Sequence, residues 1–322
     1  MAALVGIAAL AERAPTLQVK ARVEYRDLES RSILNRCNSP RMPFQWTINP
    51  YRGCEFGCHY CYARYTHEYM EISPAAFEEK IFSKTGAGAI LHRELARGLG
   101  QGGIAIGTAT DPYQPAERRY GITREILETL LKARDLKIGI TTKSDLVARD
   151  IALLKALSAR SKVSVSMTII TLHEGLARIL EQRAPRPQLR LDALRRLRAA
   201  GIDAGVSVAP VIPAITDGRA DLDDVFAAAA DCGASFIAAS PLFLMPSAQA
   251  QFFPFLERHF PLLVDRYRER YESGAYLRGE YPKRMAALVE RLREKHRLPR
   301  RTRDFSYEEV ESSAQLQLNL CF

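Results

Sequence analysis

The sequence predicts an α/β fold, a partial (β/α)6 TIM-type barrel, and three observations carry that expectation. Short β-rich runs alternate with longer amphipathic helical patterns from about residue 44 to 240. The alternation repeats, strand first and helix second, as a parallel sheet with right-handed crossovers requires. A cysteine-rich loop follows the first run directly, at the strand end where parallel barrels carry their chemistry. The expected strands are Phe44 to Asn49, Gly103 to Ala109, Leu136 to Thr142, Lys162 to Thr168, Ile202 to Ala209 and Ser235 to Ser240, each containing β-branched or aromatic residues. Among the helical stretches, Ile122 to Arg134 places Ile126, Leu127, Leu130 and Leu131 on one face, and Val147 to Ala159 and Leu189 to Ala200 show the same recurrence. Gly201 stands where a helix takes its C′ glycine. A full barrel has eight such units, so a barrel of six is expected to stay open. Residues 1–43 read as an N-terminal extension, 44–244 as the barrel core and 245–322 as a mainly helical C-terminal region, with no internal repeat and no low-complexity linker.

The loop after the first strand reads Asn49-Pro-Tyr-Arg-Gly-Cys-Glu-Phe-Gly-Cys-His-Tyr-Cys-Tyr. Cys54, Cys58 and Cys61 put three soft thiolates on one short segment, which suits a metal cluster. A closed iron–sulfur site takes four such ligands, so CxxxCxxC leaves one iron open. An open metal position is a feature of catalytic sites. Gly53 and Gly57 precede the first two cysteines and let the backbone turn tightly around a shared centre. The other reading of the same residues is a structural zinc site that adds His59 or His67 as the fourth ligand, in a non-catalytic nucleic-acid-binding protein. Against it, no second CxxC or HxxxH pair stands downstream. Cys232 reads as a small core residue within the run 226–234, while Cys37 and Cys321 stand singly toward the two ends.

The chain has 322 residues, of which 47% are hydrophobic, enough to bury a large core. Cysteines required as thiolates fit a reducing compartment. Met1 to Leu10 lacks a basic leader region, and no stretch approaches the ~20 apolar residues of a membrane span, so a cytoplasmic protein without membrane contact is expected. A formal net charge of +9 invites a polyanionic partner. The excess lies in two clusters, one at Arg183, Arg186, Arg190, Arg195, Arg196 and Arg198, the other at Arg291, Arg293, Lys295, Arg297, Arg300, Arg301 and Arg303. These read either as nucleic-acid contacts or as solvated helix faces, with Glu290 and Glu294 spaced to pair locally.

CxxxCxxC with an aromatic, Tyr60, just before the last cysteine resembles the signature of the radical S-adenosylmethionine (SAM) enzymes. The resemblance implies a 4Fe-4S cluster on Cys54, Cys58 and Cys61, and SAM chelated through its amino and carboxylate groups by the open iron. It implies Tyr60 against the adenine, and reductive cleavage to a 5′-deoxyadenosyl radical driven by a one-electron donor such as flavodoxin or ferredoxin. Four further segments, Thr110-Asp-Pro-Tyr-Gln-Pro115, Thr142-Lys-Ser144, Glu181-Gln-Arg-Ala-Pro185 and Arg190-Leu-Asp-Ala-Leu-Arg-Arg196, are similar to the spore photoproduct lyase-like branch, also called DNA repair photolyase-like, over roughly residues 30 to 245. That likeness implies SAM contacts at Thr110, Lys143 and Ser166, with the lysine suited to a carboxylate. One departure stands out: the lyase carries a hydrogen-donating cysteine at the end of its second strand, and this chain has Gly107-Thr-Ala-Thr110 there. A repair cycle that returns hydrogen from that thiol is not implied. Tyr113 is the candidate substitute relay, with packing or substrate stacking as its other reading.

Overall fold

A computed structural model describes residues 4–20, 22–39, 42–99 and 102–301. Its strands are β1 (Thr16–Lys20), β2 (Val23–Asp27), β3 (Leu34–Arg36), β4 (Trp46–Ile48), β5 (Tyr51–Arg52), β6 (Lys80–Ser83), β7 (Gly103–Ile106), β8 (Lys137–Thr142), β9 (Lys162–Thr168), β10 (Asp203–Val211) and β11 (Ile237–Pro241). The larger sheet runs β11-β10-β9-β8-β7-β4-β3. Every neighbour from β4 to β11 is parallel and only β3 is antiparallel. All six expected strands are there, in the expected parallel order, with no end displaced by more than three residues. Among the described residues β11 and β3 are the two edges, so the sheet is a partial barrel.

Alternation along the strands sorts the two faces. On β9, Val163, Val165 and Met167 pack outward into the main core with the covering helices, while Ser166 and Thr168 face a central cavity. The same inward position is Gly139 and Thr141 on β8, Ser207 and Ala209 on β10, and Ala238 on β11. Filled barrels carry bulky branched residues inside. Here the small inward residues leave a cavity of about 1190 Å³. The helices Ile122–Leu130, Ile151–Ser158 and Pro187–Ala199 cover the outer face, and Gly201, with φ +79°, ends the last of them as expected.

The N-terminal extension is more than an appendage. β1 and β2 form a hairpin, β2 pairs in parallel with β6, and β6 pairs with β5, giving a second sheet of order β1-β2-β6-β5. β5 leads straight into the cysteine loop, so this sheet is the floor on which the loop is built. β3, also from the extension, borders the barrel sheet. The described part of the C-terminal region is mainly helical, with helices Pro246–His259, Val264–Tyr271 and Glu280–His296; the last packs beside β11 with Met285, Val289 and Leu292 inward. Arg303 and Cys321 lie outside the described residues. No helix among the described residues is long and apolar enough to cross a membrane.

Candidate functional site

The cysteine loop is clamped from four directions. Gly53 has φ +80°, and a Cβ there would stand 2.5 Å from the Lys80 carbonyl and 2.8 Å from that of Phe77. The loop therefore lies flat on the backbone before β6, and the Cys54 amide donates to Phe77 O at 3.0 Å. From the extension, Tyr25 donates its hydroxyl to Glu55 (2.8 Å), whose other oxygen accepts the Ala116 amide (2.8 Å). From the segment after β7, Thr110 (2.6 Å) and Gln114 (3.0 Å) both donate to Gly53 O. On the far side Cys58 bridges to Glu181, His59 N donates to Leu180 O, and Arg183 N donates to Phe56 O. Substituting Gly53 by Ala imposes both a steric overlap with fixed backbone and an unfavourable φ. The Gly53→Ala variant is expected to lose several degrees of melting temperature and most bound iron after anaerobic reconstitution; full iron content with an unchanged melt would show that the loop tolerates displacement.

All three cysteines line the cavity. Burial is the main influence on each and pushes the thiols up, Cys58 to about 12; Lys143 opposes this at Cys58, and Arg64 and Lys143 oppose it at Cys61. Buried thiols of this kind ionise when a metal supplies the compensating charge. Three soft donors on one cavity wall, on a loop held rigid by its surroundings, thus fit an iron–sulfur cluster. The zinc reading fares worse. His67 is fully buried, with Nε2 3.1 Å from Lys80 O and its ring edge-on to Phe77 and Phe82. His59 stacks on Phe255 at 4.7 Å, with Nε2 2.7 Å from the Gln182 amide. Burial lowers both imidazoles to about 4, keeping them neutral in packing roles.

Lys143 and Ser166 line the same cavity as the cysteines, from the end of β8 and the inner face of β9. Thr110 also lines it, but its hydroxyl is spent on Gly53 O and accepts from Gln114 at 2.9 Å, so it supports the cysteine loop directly. Tyr60, read as lying against the adenine, is buried behind the wall: its hydroxyl donates to Glu181, and the Lys143 ammonium sits 5.6 Å over its ring. Tyr113, read as a radical relay, is placed in the main core and does not line the cavity. Its amide is held by Asp111 Oδ1 at 2.9 Å, a turn that aims the ring away from the barrel mouth.

Sequence reasoning passed over four residues. Asp111 lines the cavity and accepts from Thr142 Oγ1 (2.6 Å) and the Lys143 amide (2.7 Å), fixing the β8 end against the β7 end. Tyr62, next to the last cysteine, lines the cavity and donates to Thr108 O. Glu181 and Arg190 form a fully buried ion pair at 2.5 Å beside Cys58. Glu181 and Arg190 sat inside two of the quoted motifs, and that was the available signal.

The two arginine clusters separate. In the first, Arg190 is buried on Glu181, Arg195 pairs with Asp192 (2.7 Å), Arg186 with Glu174 (3.8 Å), and Arg198 donates to Gly233 O and Ile202 O. It is largely a set of internal ties. In the second, Arg293 and Arg300 both pair with Glu290 at 2.8 Å and, with Arg301, line the far end of the cavity.

An open parallel barrel with a three-thiol loop at the carboxyl end of its first core strand defines a class, and comparison with known proteins gives it a family. A sequence profile of the Radical SAM superfamily matches residues 48–225. The chain belongs to the radical SAM superfamily, whose chemistry implies SAM and an iron–sulfur cluster. An uncharacterized protein of Mycobacterium tuberculosis is 37% identical over 279 residues, covering 86% of this chain and 82% of its own. An uncharacterized protein of Methanocaldococcus jannaschii is 29% identical over 203 residues, covering 62% and 72% respectively. Among solved structures, a double mutant of spore photoproduct lyase with bound AdoMet and dinucleoside spore photoproduct superposes with a TM-score of 0.67 at 15% sequence identity, over 89% of this chain and 86% of that one. That likeness establishes a shared fold.

Proposed function

We propose that the protein is a radical enzyme that binds a 4Fe-4S cluster on Cys54, Cys58 and Cys61 and cleaves SAM reductively to start chemistry on a substrate of nucleic-acid type. The observation that carries the reading is the convergence of the three cysteines, Lys143 and Ser166 on one cavity at the carboxyl ends of the strands. When bound and reduced, such a cluster would supply one electron for reductive cleavage of SAM, the chemistry that initiates hydrogen-atom abstraction from substrate. The chain's own residues have narrower tasks. Lys143 meets the SAM carboxylate with a charge-assisted hydrogen bond. Ser166 hydrogen-bonds the methionine or ribose part, and Thr110 acts on the cofactor through the loop that it ties down. Tyr60 supports the site from behind, through Lys143 and Glu181. A cavity of about 1190 Å³ exceeds the range typical for one small ligand, leaving room for substrate beside SAM. The electron comes from a flavodoxin- or ferredoxin-type donor, in a reducing cytoplasm.

A lyase-like cycle that returns hydrogen from a thiol at the second strand end is not part of this proposal. Gly107 has φ +88°, and a Cβ there would meet Pro112 Cδ at 2.6 Å and Thr141 O at 2.7 Å, so position 107 itself has no space for a cysteine, and positions 108 to 110 carry Thr, Ala and Thr. The reading is tested by incubating anaerobically reconstituted protein with SAM and dithionite. 5′-Deoxyadenosine and methionine are the expected products, and their absence from cluster-loaded protein would contradict it.

The nucleic-acid part rests on the second basic cluster, where Arg300 is exposed and Arg293 reaches the cavity. Phosphate binding releases counterions, so affinity for duplex DNA should fall with a log–log salt slope of about −0.9 per neutralised phosphate. Fluorescence anisotropy with duplex and single-stranded probes at rising salt measures it. Changing Arg297, Arg300 and Arg301 to glutamate should flatten the slope. No binding even at low salt would leave a small molecule or a protein as the radical's target.

A further inference from the structure

Behind the cavity wall, around Tyr60 and Lys143, lies a buried group of charges. Glu181 and Arg190 are fully buried, and their side chains approach to 2.5 Å. Glu181 also accepts the Tyr60 hydroxyl, and the Lys143 ammonium lies 3.8 Å from its Oε1. Arg190 is fixed in turn, donating from Nε to Pro185 O (2.8 Å) and from Nη1 to Thr168 O at the end of β9 (3.0 Å). The group touches the cysteine loop as well, since Cys58 bridges to Glu181 through the backbone.

Its geometry is asymmetric in a way that matters. One Glu181 oxygen accepts from Tyr60, and the other lies in ion-pair contact with Arg190 without accepting a hydrogen bond. At 3.8 Å the ammonium is too far for a hydrogen bond to Glu181, yet close enough for a strong attraction in a buried setting. Lys143 is thereby held without its donors being consumed, and it reaches the cavity that the cysteines share. Without the carboxylate, Arg190 and Lys143 would be two like charges with no counter-charge between them, and the flexible lysine would be the one to move. The group sums to one net positive charge, which an anionic ligand would complete.

Resting on the reading of Lys143 as the SAM carboxylate partner, we propose that Glu181 is a positioning residue that, braced by Arg190 and Tyr60, aims the Lys143 ammonium into the cavity beside Cys58. It does not touch the cofactor. It acts through Lys143, and that dependence makes it testable apart from a general structural role.

The test is a double-mutant cycle read as SAM affinity, measured by calorimetry on anaerobically reconstituted protein of equal iron content. Glu181→Gln should weaken SAM binding about tenfold, and Lys143→Ala by about ten- to a hundredfold. The combined variant should bind no more weakly than Lys143→Ala alone, because the carboxylate has nothing left to aim. A residue that only supports the fold would weaken binding by the same factor in either background. If Glu181→Gln does not fold, Glu181→Gln with Arg190→Met removes the buried pair as a unit and enters the same cycle. Wild-type affinity in the Glu181 variant, or effects that multiply in full, would overturn the positioning role. Unchanged affinity in Lys143→Ala alone would instead overturn the reading on which it rests.

Discussion

Replacing any one of Cys54, Cys58 or Cys61 by alanine is expected to abolish 5′-deoxyadenosine formation under dithionite. Three thiolates are the minimum set for a cluster with one open iron, and the loss of one exposes a second iron. The loop gives no substitute, since Glu55 is engaged by Tyr25 and Ala116, and His59 is stacked on Phe255. Because the thiols line the cavity instead of filling the main core, each variant should fold with a melt close to that of apo wild type. The outcome to look for is therefore a folded chain with low iron and no product. Undiminished product from any one of the three variants would end the cluster assignment.

Lys143→Ala should weaken SAM binding without removing iron. The loss of one charge-assisted hydrogen bond costs ~1.5–3 kcal/mol, about ten- to a hundredfold in affinity. The backbone around position 143 should persist in the variant, since Asp111 holds the residue through its amide, at 2.7 Å, and not through the side chain. Calorimetry and iron analysis on the same sample separate the two effects. Affinity equal to wild type would show that the ammonium serves another anion.

Much of this was legible in the sequence, for local reasons. The six core strands stand out because each is a short β-branched run followed by a helix-period segment, and the cysteine loop because its three ligands lie within eight residues. What was not legible depends on contacts between distant segments. Parallel pairing of β2 with β6 joins residue 24 to residue 80 across the cysteine loop, and no local pattern announces it. Tyr113 read as facing the barrel mouth because it follows a strand end, but Asp111 caps its amide and turns the ring into the core. Arg190 read as one of several basic residues on a helix face; its burial follows from Glu181, which faces it from the preceding turn-rich segment. Charge is visible in a sequence, while the partner that neutralises it usually is not. The cavity was half legible: small residues alternate along β8 to β10, but that they face inward requires knowing which side the helices cover.

The central claim, an iron–sulfur cluster on Cys54, Cys58 and Cys61, is tested most directly by metal and sulfide analysis of protein reconstituted anaerobically with iron and sulfide. The account predicts brown protein with broad visible absorption, about four iron and four sulfide per chain, and an electron paramagnetic resonance signal of a reduced cluster that changes when SAM is added. Colourless protein holding one zinc per chain, with no acid-labile sulfide, would contradict it.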